Sequence, residues 1–265
     1  SDDSQYKEIN NAIERFANRD IDGCRAILER ARNNNPKLPP PGIMMATLWI
    51  SANQLQAARA ELEDTAVKFA GDPEPYLMLG DLAFQERRVT DASVLFDRAA
   101  QLTAAFDENP KRKRDFEIRC NAGTAAVAEA RRQWDTAQKN LRSWLTLDPD
   151  NAGAHFRLGS VLFHLGKETE ALEQFKEARK LDSKALQPEL ALARLYDEDR
   201  KRDVAKKWIE SALKTAPDDV GVLLAASQWY LGQNDLKLAP ARTDRALKID
   251  PTRLEGTIVR GVIAR

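Results

Sequence analysis

The chain has 265 residues, 43% of them hydrophobic and 31% charged, which is enough apolar material for a core in one or two domains or a single repeat array. Lys+Arg and Asp+Glu both number 41, so the formal net charge is zero and the usual electrostatic argument for a nucleic-acid or anionic-membrane partner is absent. No stretch approaches the ~20 apolar residues of a membrane-spanning helix, no basic-then-apolar leader opens the chain, and Cys24 and Cys120 are too few for a disulfide framework. The expectation is a soluble chain without direct membrane insertion, cytoplasmic or periplasmic.

Taken from its beginning, the chain repeats itself. A first unit starts at Gln5, a second at Pro39 and a third at Pro73, each 34 residues after the last. The next start, Ile118, comes after 45 residues, and 34-residue steps then resume at Ala152, Leu186, Val220 and Leu254. Small residues carry the register. Repeat position 8 holds Ala12, Ala46, Gly80, Ala125, Gly159, Ala193, Ser227 and Gly261, and position 20 holds Cys24 and then alanine from Ala58 to Ala239. Two antiparallel helices cross at about 8–10 Å only where small side chains meet. Bulky residues flank these positions, among them Leu79, Leu158 and Leu192 at position 7 and Leu28, Phe96 and Phe175 at position 24. Pro36, Pro149, Pro217 and Pro251, all at position 32, mark helix ends.

The boundaries predicted on this register are 1–104 for repeats one to three, 105–117 for an inserted helical extension, 118–253 for repeats four to seven and 254–265 for the first helix of an incomplete eighth. In the extension, Asn109 followed by Pro110 reads as an N-cap and first helical residue, and the eleven extra residues amount to about three turns. It carries the basic run Lys111, Arg112, Lys113 and Arg114, expected to be a solvated helix face, with a docking patch for an acidic partner as the alternative. In repeat four, Trp144 stands where other repeats have Ala or Thr, opposite a thin first helix, and is expected to fill core volume. Repeat seven places Pro240 inside its predicted second helix, where a kink is expected, and Thr243 where a large apolar residue belongs. The closing segment LEGTIVRGVIAR makes a poor polar cap, so the natural chain is expected to continue past it.

The spacing aromatic-x-x-Leu-Gly, then Ala-x-x-x-Phe and a terminal Pro, clearest at Tyr76, Leu79, Gly80, Ala92, Phe96 and Ala99, resembles the tetratricopeptide repeat. The resemblance implies an all-α fold, a right-handed superhelical solenoid of antiparallel helix pairs, seven repeats and a half, with first helices lining a concave face. It also implies a protein-binding scaffold or adaptor holding a partner peptide or helix, with self-association as a variant. The alternative is a targeting or regulatory arm of a larger enzyme, or of an envelope or secretion assembly, with its other domains outside this chain. The chaperone-tail clamp of the family needs Lys and Asn at positions 5 and 9, and no repeat has both.

Nothing in the sequence points to catalysis. No phosphate-binding loop is present, His155 and His164 point to opposite sides of one helix, and Cys24 occupies a small-residue slot. No enzyme activity, cofactor or metal is expected. On the helix wheel, positions 4, 7, 8 and 11 form the core stripe and positions 2, 6, 9 and 13 lie opposite, with 5 and 12 on the flanks. The candidate partner-binding residues on this reckoning are Tyr6, Ile9, Ile13, Phe16, Met44, Thr47, Ile50, Met78, Asp81 and Phe84, an apolar stretch in repeats one to three. Repeat four adds only small residues such as Gly123, and repeats five and six turn polar with Arg157 and Arg194.

Overall fold

A computed structural model describes the backbone of residues 2–263 and the side chains from Lys7 to Ile263. Among the described residues all regular structure is helical. The helices pair in chain order: α1 (Asp2–Ala17) with α2 (Ile21–Asn34), α3 (Pro41–Ser51) with α4 (Leu55–Lys68), α5 (Glu74–Gln85) with α6 (Val89–Ala105), and α7 (Pro110–Ala130) with α8 (Trp134–Leu147). These make one compact unit, Ser1–Pro149. The second unit, Asp150–Arg265, pairs α9 (Ala152–His164) with α10 (Glu168–Leu181), α11 (Pro188–Glu198) with α12 (Arg202–Thr215), and α13 (Val220–Gly232) with α14 (Leu238–Ile249). A last helix, α15 (Leu254–Ile263), rests on α13 and α14. Helices end two residues ahead of Pro36, Pro149, Pro217 and Pro251, where the chain loses a backbone donor.

Each pair closes at the small positions. Positions 8 and 20 are fully or almost fully buried in all seven pairs, from Ala12 and Cys24 to Ser227 and Ala239. Position 8 is matched to the side chain at position 24. Glycine faces phenylalanine: a Cβ built on Gly80 would lie 2.7 Å from the ring of Phe96, and one on Gly159 the same distance from Phe175. Alanine faces Leu or Ile in Ala12/Leu28, Ala46/Leu62, Ala125/Leu141 and Ala193/Ile209, all buried. In the seventh pair, Ser227 and Thr243 share a hydrogen bond of 2.6 Å, and both hydroxyls also reach the Ala239 carbonyl. Thr243 therefore fills a large residue's place with a satisfied polar contact, which is what burial of a hydroxyl requires.

The turn inside each pair repeats as well. Position 15 takes a left-handed backbone in every pair, at Arg19, Asn53, Arg87, Arg132, Gly166, Arg200 and Asn234. The following amide reaches back five residues to the first helix, as in Gln54 to Trp49 (2.8 Å) and Lys201 to Tyr196 (2.8 Å). This left-handed C-terminal turn satisfies carbonyls that the helix end would otherwise orphan. Glycine adopts it without steric cost and asparagine at little, so Gly166, Asn53 and Asn234 announce it in the sequence while the four arginines do not.

Two expectations change here. Pro240 does not kink a helix: α14 starts at Leu238, so the proline sits in the first turn, where its missing N–H leaves no helical bond unmade. Asp235 holds that late start by accepting from the amides of Lys237 and Leu238 at 3.1 and 3.0 Å. The eleven extra residues before repeat four are shared by two helices, α6 with 17 residues and α7 with 21, against 14 in α4 and α8. Asn109 caps α7 by accepting from the amides of Lys111 and Arg112.

Candidate functional site

The basic run on α7 is solvated only in part: Lys111 and Arg114 are exposed, while Arg112 is turned inward. Arg112 keeps only 13% of its side chain exposed, and its Nη2 lies 2.8 Å from both Asp72 Oδ2 and Glu74 Oε2, whose side chains are as deeply covered. Its guanidinium also stacks on the rings of Phe106 and Phe116 at 5.4 and 4.9 Å. Burial alone would lower the proton affinity of Arg112, but Asp72 and Glu74 outweigh it and raise it. Lys113 donates to the Ala104 carbonyl at 3.3 Å and Arg114 to that of Leu147 at 2.5 Å. Arg112 is thus a clasp that ties α7 back to Asp72 in the loop before α5 and to Glu74 at its start. Asp72 stands forty residues upstream of Arg112, so no local periodicity could link the two.

The first-helix faces of the N-terminal unit hold most of the candidate residues. Tyr6 lies outside the residues whose side chains are described. Ile9 and Met44 are half-buried against the cluster of Ala12, Cys24, Leu28 and Met45. Phe16 meets Trp49 edge-on at 4.7 Å, joining α1 to α3. Ile50 and Met78 pack on the next cluster, around Ile43, Leu62 and Leu79, and Phe84 on the one around Leu77, Phe96 and Phe116. Three residues remain open, all at position 9: Ile13, Thr47 and Asp81. Ile13 is 45% exposed. Thr47 spends its hydroxyl on the Ile43 carbonyl at 2.9 Å, and Asp81 lies 3.6 Å from Arg119 Nη2.

The helix wheel therefore overstated the open face. Position 6 is half-buried at Met44 and Met78 and closed at Gly123, where a Cβ would come within 2.6 Å of the Phe96 ring. At position 2, Pro40 is buried, and flank position 5 is buried at Ile43 and Leu77. A first helix has two sets of neighbours, its own second helix and the adjoining pair, as when α5 touches α7. Two contacts cover a wider arc than the single stripe the wheel assumes, leaving positions 9 and 13.

In the C-terminal unit, Arg157 is half-buried, while Arg194 is exposed and holds Glu198 at 2.9 Å. His155 Nδ1 lies 2.7 Å from Gln174 Oε1, and His164 meets the edge of Phe163. The Tyr196 hydroxyl donates to Glu168, and its pKa is pushed up to about 12 by burial and by that carboxylate. Cys24 lies 3.6 Å from the sulfur of Met45 and Cys120 3.7 Å from the Thr103 hydroxyl. Burial raises both thiols, which holds them in the unreactive form. Among the described residues, no three His, Cys, Asp or Glu side chains gather to hold a metal ion, and no helix is long and apolar enough to cross a membrane.

Residues 123–185 match the family model described as tetratricopeptide repeat, and the helix pairs around them obey the same small-residue closure throughout. Residues 123–185 are thus tetratricopeptide repeat by sequence, and the fold of the described helices is that of a tetratricopeptide-repeat array. The chain is similar in fold to the type IV pilus biogenesis factor PilW, with a TM-score of 0.54 and 15% identity over 97% of this chain and 98% of that one. It is similar in the same way to a tetratricopeptide repeat protein from Parabacteroides merdae, with a TM-score of 0.53 and 15% identity over 84% of each chain. By sequence it is 29% identical over 121 residues to the human protein O-mannosyl-transferase TMTC3, matching 45% of this chain and 13% of that protein. The matched segment thus spans about an eighth of that relative's length.

Proposed function

We propose that this chain is a non-catalytic interaction scaffold that holds a peptide or helix of a partner protein along the first helices of its N-terminal unit. The observation that carries the reading is the position-9 row. Ile13, Thr47 and Asp81 stand open on α1, α3 and α5, and the half-buried edges of Ile9, Phe16, Met44, Ile50, Met78 and Phe84 lie beside them. A large apolar side chain left open beside half-covered methionines is suited to an adaptable apolar contact. Asp81 and its neighbour Arg119 give the far end of the row a polar contact. The polar first helices of the C-terminal unit favour a different kind of contact, and the Arg194–Glu198 pair leaves little free charge for nucleic acid.

A second reading is a repeat arm within a larger protein or assembly. It is favoured by the TMTC3 match, in which a transferase several times longer than this chain contains the similar segment.

The first reading is tested on the open residues, because a glutamate at half-buried Met44 or Met78 would also strain the core. In an Ile13→Glu/Thr47→Glu variant the far-UV circular dichroism stays unchanged while co-purification of partner proteins from a cell extract falls to background. Unchanged capture by a well-folded variant would contradict the reading. Sedimentation of the purified chain addresses the self-associating form: the same variant converts any dimer to monomer.

A further inference from the structure

Adjacent second helices enclose a crevice in each unit; the two share several repeat positions, but Glu61 and Asp64 at positions 23 and 26 of the first are Arg242 and Arg245 in the second. In the N-terminal unit it lies between α2 and α4, with Arg25, Glu61 and Asp64 in its walls. Its charges are answered from within. Arg25 grips Glu61 with both terminal nitrogens, one of them at 3.1 Å, and Arg32 donates to the carbonyls of Pro36 and Leu38.

The matching crevice of the C-terminal unit lies between α12 and α14 and encloses about 420 Å³. Position 23, which is Glu61 in the first crevice, is Arg242 in the second. The position that supplies Arg25 to the first supplies Lys206 to the second, so no acid reaches Arg242 from there. The Nε of Arg242 is buried and has no hydrogen-bond partner among the described residues. A buried donor without an acceptor carries a desolvation cost that an incoming acceptor would remove. Lys214 stands on the opposite wall with Glu210, while Arg245 is committed to Asp218 at 2.7 Å. Two cations thus face one carboxylate above a floor of Leu213, Leu223 and Leu238.

We propose that this crevice is a second docking site of the protein, one that takes a short acidic peptide. A carboxylate of the peptide pairs with Arg242 and Lys214, and a neighbouring leucine-sized side chain enters between Leu213, Leu223 and Leu238. The volume is that of a small-ligand pocket, enough for a few side chains and too small for a helix. Charge complementarity selects the acid, and the leucine floor selects what stands beside it.

The test uses the full chain and a fluorescein-labelled acetyl-Asp-Leu-Glu-Leu-Asp-amide peptide, read by fluorescence anisotropy. The acidic peptide binds, and its Asn-Leu-Gln-Leu-Asn counterpart binds at least about tenfold more weakly. Arg242→Leu weakens the acidic peptide by at least about tenfold, and Lys214→Ala by a few-fold, since the exposed lysine is partly screened. Arg242→Gln, closer in length, replaces Arg242→Leu if circular dichroism shows that variant perturbed. The Ile13→Glu/Thr47→Glu variant binds the peptide normally, which separates this site from the one on the first helices. Equal binding of the two peptides, binding of neither, or full affinity in both the Arg242 and Lys214 variants would overturn the proposal. So would displacement by inorganic phosphate at the peptide's own concentration, which would assign the crevice to a free anion.

Discussion

At Gly80 and Gly159 the rings of Phe96 and Phe175 lie so near the helix backbone that any side chain at the glycine would have to displace them. The other pairs solve the same packing with alanine against Leu or Ile, or with Ser227 bonded to Thr243. What is held constant is the joint volume of positions 8 and 24. A cycle of variants tests this. Gly159→Ala gains up to about 1 kcal/mol in helix propensity but forces a core ring aside at about 1–3 kcal/mol, so a net loss of stability in urea unfolding is expected. Adding Phe175→Leu rebuilds the alanine–leucine pair found elsewhere in the chain, and the double variant recovers most of the loss. Simple additivity of the two single effects would show that the positions are not coupled. The small residues at position 8 were legible in the sequence from their 34-residue spacing. Their individual partners were not, because the register says which positions meet and not how much room each leaves.

The helix α7 shows how an element can be placed by residues far from it in sequence. Its cap at Asn109 and first-turn Pro110 are local signals, and both were readable. Its attachment depends on Arg112 meeting Asp72 and Glu74, and that contact turns one residue of the basic run inward while Lys111 and Arg114 face solvent. Arg112→Leu leaves Asp72, only 7% exposed, without its cation and costs about 3 kcal/mol. Hydrogen exchange is expected to rise over residues 110–116 in particular, while the helices of the C-terminal unit keep their protection; unchanged exchange in α7 would contradict the clasp. Pro240 misled the sequence reading for a related reason. The fixed repeat register placed it inside a helix, but Asp235 caps a later start and α14 is shortened around the proline. The left-handed turns at Arg19, Arg87, Arg132 and Arg200 left no residue signal, since arginine adopts that backbone only under the tertiary demand of pairing two helices.

Across the molecule, the repeat uses its residues for closure first, and what remains for partners is narrow. Each first helix is covered on two sides, so the open row reduces to positions 9 and 13, where Ile13, Thr47 and Asp81 stand in the N-terminal unit and Arg194 and Gln228 in the C-terminal one. Most of the apolar stretch read from the sequence turns out to join neighbouring pairs, as Phe16 joins Trp49. The change of character from apolar to polar along the chain survives in that thinner row. The scaffold account stands or falls on which surface touches a partner. Site-specific photocrosslinking measures this most directly, with the crosslinking residue placed in turn at Ile13, Thr47 and Asp81, and on the exposed second-helix residue Val94 for comparison. The account predicts adducts to a common partner protein from the three position-9 sites and none from Val94. Adducts from Val94 with none from position 9 would contradict it.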